Sequence, residues 1–316
     1  MSEIGVSDLL FASSITNLSD LSDRDKPWDI HKANSVRVAS FYAATNEFDG
    51  YAVRVRVCSE ILDFAFAAAS DGLLNFKLQY AKFCRVRACC ICQWRRSLMW
   101  KAKAHKILPK IVEDYPTYRW LFLTLTVRNC AIADLRSTIA DMHSAFKRMS
   151  MLKTFPAVGW LKSVEVTRNE DDNSAHPHFH CLLMVRPGYF GGSTYISKLE
   201  WIQLWKKSLR ISYDPSIDIK ALNKALSPTK LVPEILKYCT KESDLIADKE
   251  WFLEFTRQMH KQRTISTGGL LKKYLKELES DPEDLIGNSE DLEDEDSDSS
   301  IRFRWHSNDS KYKLMD

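Results

Sequence analysis

The sequence has no apolar run approaching the roughly 18–20 residues that a membrane-spanning helix needs, which excludes such a helix and argues against a membrane partner. Its first residues, MSEIGVSDLLFASSITNLSDLSD, carry acids and no basic stretch ahead of an apolar one, so they do not read as a secretory leader. The expected location is therefore the reducing cytoplasm, where clustered thiols favour metal over disulfides. No internal repeat is visible. A strong net charge is missing too, since 45 Lys and Arg against 42 Asp and Glu leave only +3. That average hides an asymmetry. Residues 281–316 hold 4 basic and 12 acidic residues, residues 1–40 hold 4 and 6, and residues 41–280 carry +13. A basic body suits a polyanionic partner, because each neutralised phosphate releases a counterion. An ordinary soluble protein can carry the same excess.

What is present points to a globular α+β protein. Hydrophobic residues make up 45% of the chain, enough to bury a sizeable core. Residues 1–49 read as a polar, partly disordered arm. Residues 50–95 alternate apolar and polar (YAVRVRVCSEILDF, LLNFKLQYAKFC) and predict short strands around a cysteine cluster. A basic amphipathic helix follows over 93–108. Strands are expected at 119–127, 160–168 and 178–186, the last two joined by the turn-rich NEDDNSAHP as an antiparallel hairpin. Helices are expected at 133–149, 196–210 and 233–246, with Pro233 in a first turn. Residues 288–300, seven of 13 acidic, predict disorder. The domain reading is an arm at 1–49, a cysteine segment and basic helix at 50–110, a main domain at 111–280, and an acidic disordered tail at 281–316. The main domain is a central antiparallel sheet flanked by helices.

Three constellations carry chemistry. In the first, Cys84, Cys89 and Cys92 place three thiols within nine residues, and the two-residue gap from Cys89 to Cys92 is a knuckle spacing that aims both sulfurs at one tetrahedral Zn²⁺. Cys58 is the preferred fourth ligand and His105 the runner-up; Cys90 points elsewhere. Buried free thiols are the alternative. Four thiolates leave no open position, so the site reads as structural. Beside it Arg85, Arg87, Arg95, Arg96, Lys101 and Lys103 interleave with Trp94 and Trp100, a pattern that suits DNA contact and equally a solvated helix face.

The second constellation is HPHFH, 176–180. Alternate residues of a strand share a face, so His178 and His180 point together while Phe179 packs behind them. His176 joins them only if Pro177 keeps the register. Glu165, on the preceding strand, is the carboxylate that would complete a His₂-carboxylate set open to a phosphate oxygen and to Mg²⁺ or Mn²⁺. The third is Glu234, Tyr238 and Lys241, at i, i+4 and i+7 on one face of the expected helix. A phenol with a pKa near about 10 needs a cation, metal or base to become a nucleophile. Spacing of this kind is also common for a plain surface tyrosine.

In combination these runs resemble the plasmid rolling-circle replication initiators (Rep proteins) of the HUH endonuclease superfamily, over residues 50–246. FLTLTV (122–127) looks like the family's first motif, HPHFHCLLMV (176–185) like its histidine–hydrophobic–histidine metal motif, and EILKYCTK (234–241) like its tyrosine motif. CRVRACCICQWRR (84–96) and RVRVCSEILDF (54–64) are similar to its cysteine segments, with Cys90 where the family pattern has proline. The resemblance implies a bacterial, metal-dependent DNA nickase and strand transferase whose endonuclease domain is 111–280. Tyr238 would attack an origin phosphodiester, giving a 5′-phosphotyrosine link and a free 3′ hydroxyl primer. Glu234 would activate water to end the cycle; from the residues alone, Lys241 or Lys237 could stabilise the phenolate and Glu234 could take a proton. The implied partners are plasmid origin DNA, contacted by Tyr238, Arg95, Arg96 and Lys101, and the host helicase and polymerase. Other HUH nucleases, such as a transposase or relaxase, share the metal and tyrosine but not the cysteine segment. A non-catalytic zinc-stabilised DNA-binding regulator would need neither HPHFH nor Tyr238.

Overall fold

The computed structural model describes residues 16–68, 74–223, 225–236, 239–278 and 300–315. In chain order these form helices α1 (Pro27–Tyr42) and α2 (Asp49–Arg56), strands β1 (Ile61–Ala68) and β2 (Leu74–Ala81), helix α3 (Cys90–Asp114) and strand β3 (Arg119–Thr126). Helix α4 (Leu135–Ser150), strands β4 (Ala157–Arg168) and β5 (Ala175–Val185), helix α5 (Lys198–Leu209) and strand β6 (Ile217–Ala221) follow. Helices α6 (Val232–Ile235), α7 (Glu242–Ala247) and α8 (Lys249–Met259), strand β7 (Ile265–Gly268), helix α9 (Gly269–Leu278) and strands β8 (Ser300–His306) and β9 (Lys311–Leu314) complete the chain. The class is α+β, as expected, but with two antiparallel sheets rather than one. The chain divides into two compact units, residues 16–95 with 300–315 and residues 96–278.

The first unit corrects three readings of the sequence. Residues 27–42 are a helix and not an arm: Pro27 sits at its start, where a missing N–H costs nothing. Its buried residues Trp28, Lys32, Ser35, Ala39 and Tyr42 recur every three or four positions along one stripe. The alternating YAVRVRV forms helix α2, not a strand. Ala52 and Val55 face inward at i, i+3 while Val53 is 65% exposed, so its valines share no strand face. The end of the chain is not all acidic tail, because β8 and β9 complete a sheet in the order β2-β1-β8-β9. Phe303 and Tyr312 are buried there, and the Asp29 carboxylate accepts from the Tyr312 backbone N–H and the Lys311 ammonium, both at 3.0 Å, tying β9 to α1. Residues 1–15 and the acidic run to Ser299 lie outside the described residues.

In the second unit the sheet runs β6-β3-β5-β4-β7. The expected hairpin is present: β4 pairs with β5 so that Glu165 faces His178 and Thr167 faces His176, and Pro177 keeps the register. Side chains alternate between two faces. On one, Phe179 packs on Phe146 of α4 and Trp205 of α5. On the other, Trp120, Phe122, Leu182 and Met184 are covered by Ile107, Leu108 and Ile111 of α3, Val232 and Ile235 of α6, and Leu271 and Leu275 of α9. Helix α3 runs on past the expected end, through Pro109 to Asp114. Gly269 starts α9 at φ +58°, where a side chain would also collide with the Val158 carbonyl.

The single helix expected over 233–246 is broken. Pro233 does lie in a first turn, but α6 ends after four residues, Leu236 leaves helical geometry at ψ 42°, and Lys241 is extended at ψ 143° ahead of α7. The reason is a competing bond: the Cys239 carbonyl accepts from the Val166 N–H on β4 at 2.7 Å. Glu234 and Lys241 therefore do not share one helix face.

Candidate active site and metal centre

The face covered by α3, α6 and α9 continues along β3 and β5 beyond that apolar cover. Phe122, Thr124 and Thr126 of β3 register with Leu182, His180 and His178 of β5, and Ser163 and Glu165 of β4 register with the same two histidines. Alternation thus brings His178, His180 and Glu165 together. One Glu165 oxygen, Oε2, accepts from His178 Nε2 at 3.0 Å and His180 Nε2 at 2.6 Å. Burial alone would raise the Glu165 carboxyl, but the hydrogen bonds from His178 and His180 outweigh it and hold the group well below the usual carboxylate range. The three donor atoms lie within 4.8 Å of one another, a group that could hold a metal ion. Glu165 and His180 are buried and the His178 side chain is 13% exposed; three protein ligands would leave coordination positions for another group.

The other ring nitrogens are also engaged. His180 Nδ1 lies 3.3 Å from Thr124 Oγ1 and His178 Nδ1 lies 3.3 Å from the His176 carbonyl, while Phe122 stacks on the His180 ring with centroids 5.6 Å apart. Outer partners of this kind fix the tautomer and orientation of metal-binding imidazoles. Thr124 and Phe122 went unassigned in the sequence, although their spacing in FLTLTV held the signal: alternate residues of β3 share the histidine face. His176 keeps to that face, its ring centroid 5.5 Å from that of His178, but it stands outside the three-donor group.

The tyrosine segment is reached only from its neighbours, since Lys237 and Tyr238 lie outside the described residues. The Ser163 hydroxyl donates to the Ile235 carbonyl and the Val166 N–H donates to the Cys239 carbonyl. Glu165 lies between those two β4 anchors. Glu234 is exposed on α6 and Lys241 is exposed at the start of α7.

The cysteine cluster belongs to the first unit. Cys58, which follows helix α2 rather than ending a strand, joins Cys84, Cys89 and Cys92, all buried. His105 is not among the four, and Cys90 at the start of α3 is buried outside the cluster. The Cys58–Cys92, Cys58–Cys89 and Cys84–Cys92 sulfurs are 3.7, 3.7 and 3.6 Å apart. A tetrahedron with Zn–S bonds of about 2.3 Å has an edge of about 3.8 Å, so these residues fit zinc. Hydrogen bonds from Cys84, Cys89 and Cys92 pull the Cys58 thiol far down, while bonding to Cys58 pushes Cys84 and Cys92 up. Of the expected DNA contacts, Arg95 is half-buried, its guanidinium 5.5 Å from Trp28 and 5.8 Å from Phe83 and Trp94. Arg96 and Lys101 are half-buried.

The chain that carries these two groups, four thiols in one unit and Glu-His-His on the sheet of the other, is similar in sequence to a known family. The family model described as replication protein matches residues 75–313, and the chain belongs to that family. It is similar to Protein rep of Streptococcus pneumoniae serotype 2 (strain D39 / NCTC 7466), with 30% identity covering 92% of each chain. It is also similar to Protein rep of Lactiplantibacillus plantarum, 35% identical over 80% of this chain and 82% of the relative, and to a replication protein of Staphylococcus aureus, 34% identical over 65% and 94%. No solved structure matches significantly. Membership bears out the resemblance to plasmid replication initiators. No helix among the described residues is long and apolar enough to cross a membrane.

Proposed function

We propose that this chain starts rolling-circle replication by cutting one strand of a plasmid origin, with Tyr238 as nucleophile and His178, His180 and Glu165 as ligands of Mg²⁺ or Mn²⁺. The observation that carries this reading is the pair of β4 anchors. Ile235 and Cys239, described residues before and after Tyr238 in the sequence, are tied to Ser163 and Val166, which flank Glu165 on β4. A residue is only about 3.8 Å from the next along the backbone, which supports approach of the phenol to a phosphate held at the histidines.

The ion would supply Lewis acidity at a non-bridging phosphate oxygen and neutralise developing charge. The chain does the rest. Glu165 and the two imidazoles hold the ion, and Thr124 with the His176 carbonyl orient those rings. The Tyr238 phenol gives up its proton to solvent as its oxygen forms a bond to phosphorus, and the 3′ oxygen leaves and takes up a proton, so the proton count is unchanged. This gives a 5′-phosphotyrosine and a 3′ hydroxyl that a host polymerase can extend, with a host helicase opening the duplex. The phosphodiester's energy is kept in the phosphotyrosine, so resealing needs no nucleotide cofactor. Glu234 directs the water that closes the cycle. The four cysteines bind Zn²⁺ as a closed structural site.

The test uses single-stranded origin DNA and Mn²⁺. Wild-type protein should form a covalent adduct resistant to denaturant, and Tyr238→Phe should bind the DNA without forming one. An undiminished adduct in Tyr238→Phe would remove this residue from the mechanism.

A further inference from the structure

A buried ammonium stands beside the cysteine cluster. Lys32 of α1 is fully buried, and its Nζ donates to the Cys58 carbonyl at 2.6 Å and the Arg56 carbonyl at 2.8 Å. No carboxylate makes a salt bridge with it among the described residues. Asp29, one turn earlier, is occupied by Lys311 and the Tyr312 N–H. Burying a cation without an anion is costly, and neutral donors would serve two carbonyls equally well. The anions that reach it are the Cys58 and Cys89 thiolates first, then the carboxylate of Glu60, which is exposed and screened by water, and the Cys84 thiolate. Four thiolates around one divalent ion carry a net charge of −2, which is costly to bury without a cation. Each charge explains the other.

The same helix completes the surroundings. Ser35, one turn beyond Lys32, lies 3.5 Å from Cys89 Sγ and accepts from the Ile91 N–H at 3.2 Å. The N–H groups of Cys84 and Val86 donate to the sulfurs of Cys58 and Cys84, each at 3.4 Å. Arg54 bonds the Cys84 carbonyl, but it is exposed and screened by water.

We infer that Lys32 is the counter-cation of the tetrathiolate centre, a positioning residue whose charge sets the metal affinity of the four cysteines. This rests on the zinc reading above, and the experiment separates the two. Zinc content and affinity, by chelator competition, would be compared in the full chain, Lys32→Gln and Lys32→Arg. Gln keeps donors for the carbonyls and loses the charge; Arg keeps the charge. Lys32→Gln should bind zinc roughly 10–100-fold more weakly, the usual size of an outer-partner effect, and Lys32→Arg should stay close to wild type. With Co²⁺ as probe, the sulfur-to-metal charge-transfer band of Lys32→Gln should move to lower energy, because the thiolate electrons lose a stabilising cation. Should Lys32→Gln fold only poorly in excess zinc while Lys32→Arg folds and binds, the charge is again the cause. Equal affinity and an unshifted band in Lys32→Gln, or equal losses in both variants, would overturn the inference. Wild-type protein without zinc would instead defeat the tetrathiolate reading itself.

Discussion

The two ligand clusters are built from opposite kinds of backbone, and their chemistry follows. The four sulfurs come from the end of α2, the segment after β2 and the start of α3, and every one is buried. Such a set satisfies a tetrahedral ion and leaves nothing for a substrate. The Glu-His-His group comes from two paired strands whose register alone fixes it, and its three ligands would leave coordination positions for a phosphate oxygen. Turns and helix starts gather ligands around a point, whereas a sheet presents them along a surface. The first arrangement suits a fold anchor and the second a site that a phosphate backbone can approach.

The sharpest way to break this contrast is to remove one ligand from each cluster. His178→Ala or His180→Ala should lower nicking on the order of 10²-fold or more, the loss typical when one charge-stabilising group is removed. The circular dichroism spectrum should stay unchanged. Cys89→Ser should do the reverse, releasing zinc and loosening the first unit, as read by loss of near-ultraviolet dichroism and faster proteolysis. If Cys89→Ser folds normally while His180→Ala unfolds, the division into an anchor and a reactive site is wrong.

A smaller effect tests the outer partners. Thr124→Val removes the hydroxyl beside His180 Nδ1 and keeps the shape. Affinity for Mn²⁺, measured by calorimetry, should fall roughly 10-fold with zinc content unchanged. An unaltered Mn²⁺ affinity would mean that Thr124 merely packs. Glu234→Gln makes a subtler separation: adduct should form at nearly the wild-type rate and then persist, because hydrolysis is slowed. If Glu234→Gln releases its DNA normally, another residue directs the water.

The sequence made the open site legible because a two-residue period survives every tertiary detail: HPHFH states its own face, and Glu165 follows once the hairpin is drawn. The cysteines were legible by spacing, which chemistry restricts more than folding does. Helix α1 was not, because two of the five residues on its buried stripe are Lys32 and Ser35, and polar side chains erase a pattern read from hydrophobicity. Strands β8 and β9 were hidden by averaging. The alternation in IRFRW is plain, but it follows directly on an acidic run that dominates the composition of residues 281–316. The break after α6 depends on a hydrogen bond to β4, a partner 73 residues away (Val166 to Cys239), which local helical spacing cannot register.

The weakest expected effect sets the two faces of the second unit's sheet against each other. Behind Glu165 and the histidines, buried Lys162 donates to His143 Nδ1 at 2.9 Å and lies 3.8 Å from the Phe179 ring centre. Burial first, then the Lys162 charge, lowers His143 to about 4, and burial lowers Lys162 to about 8. In the unfolded chain His143 takes its proton near about 6.5, while the folded chain resists until about 4. Stability from His143 is therefore complete above the unfolded value and is lost as pH falls towards the folded one. Lys162 acts in a higher window, where stability rises with pH from the folded value of about 8 to the unfolded value near about 10.4. Urea unfolding followed by tryptophan fluorescence should show both slopes. His143→Gln should flatten the acid limb by on the order of 1–2 kcal/mol, a figure reduced for partial solvent screening. Lys162→Met should flatten the alkaline one. Neither should change Mn²⁺ affinity, because the sheet lies between these groups and the ligands. An acid limb unchanged in His143→Gln would assign that loss of stability to the Glu-His-His face.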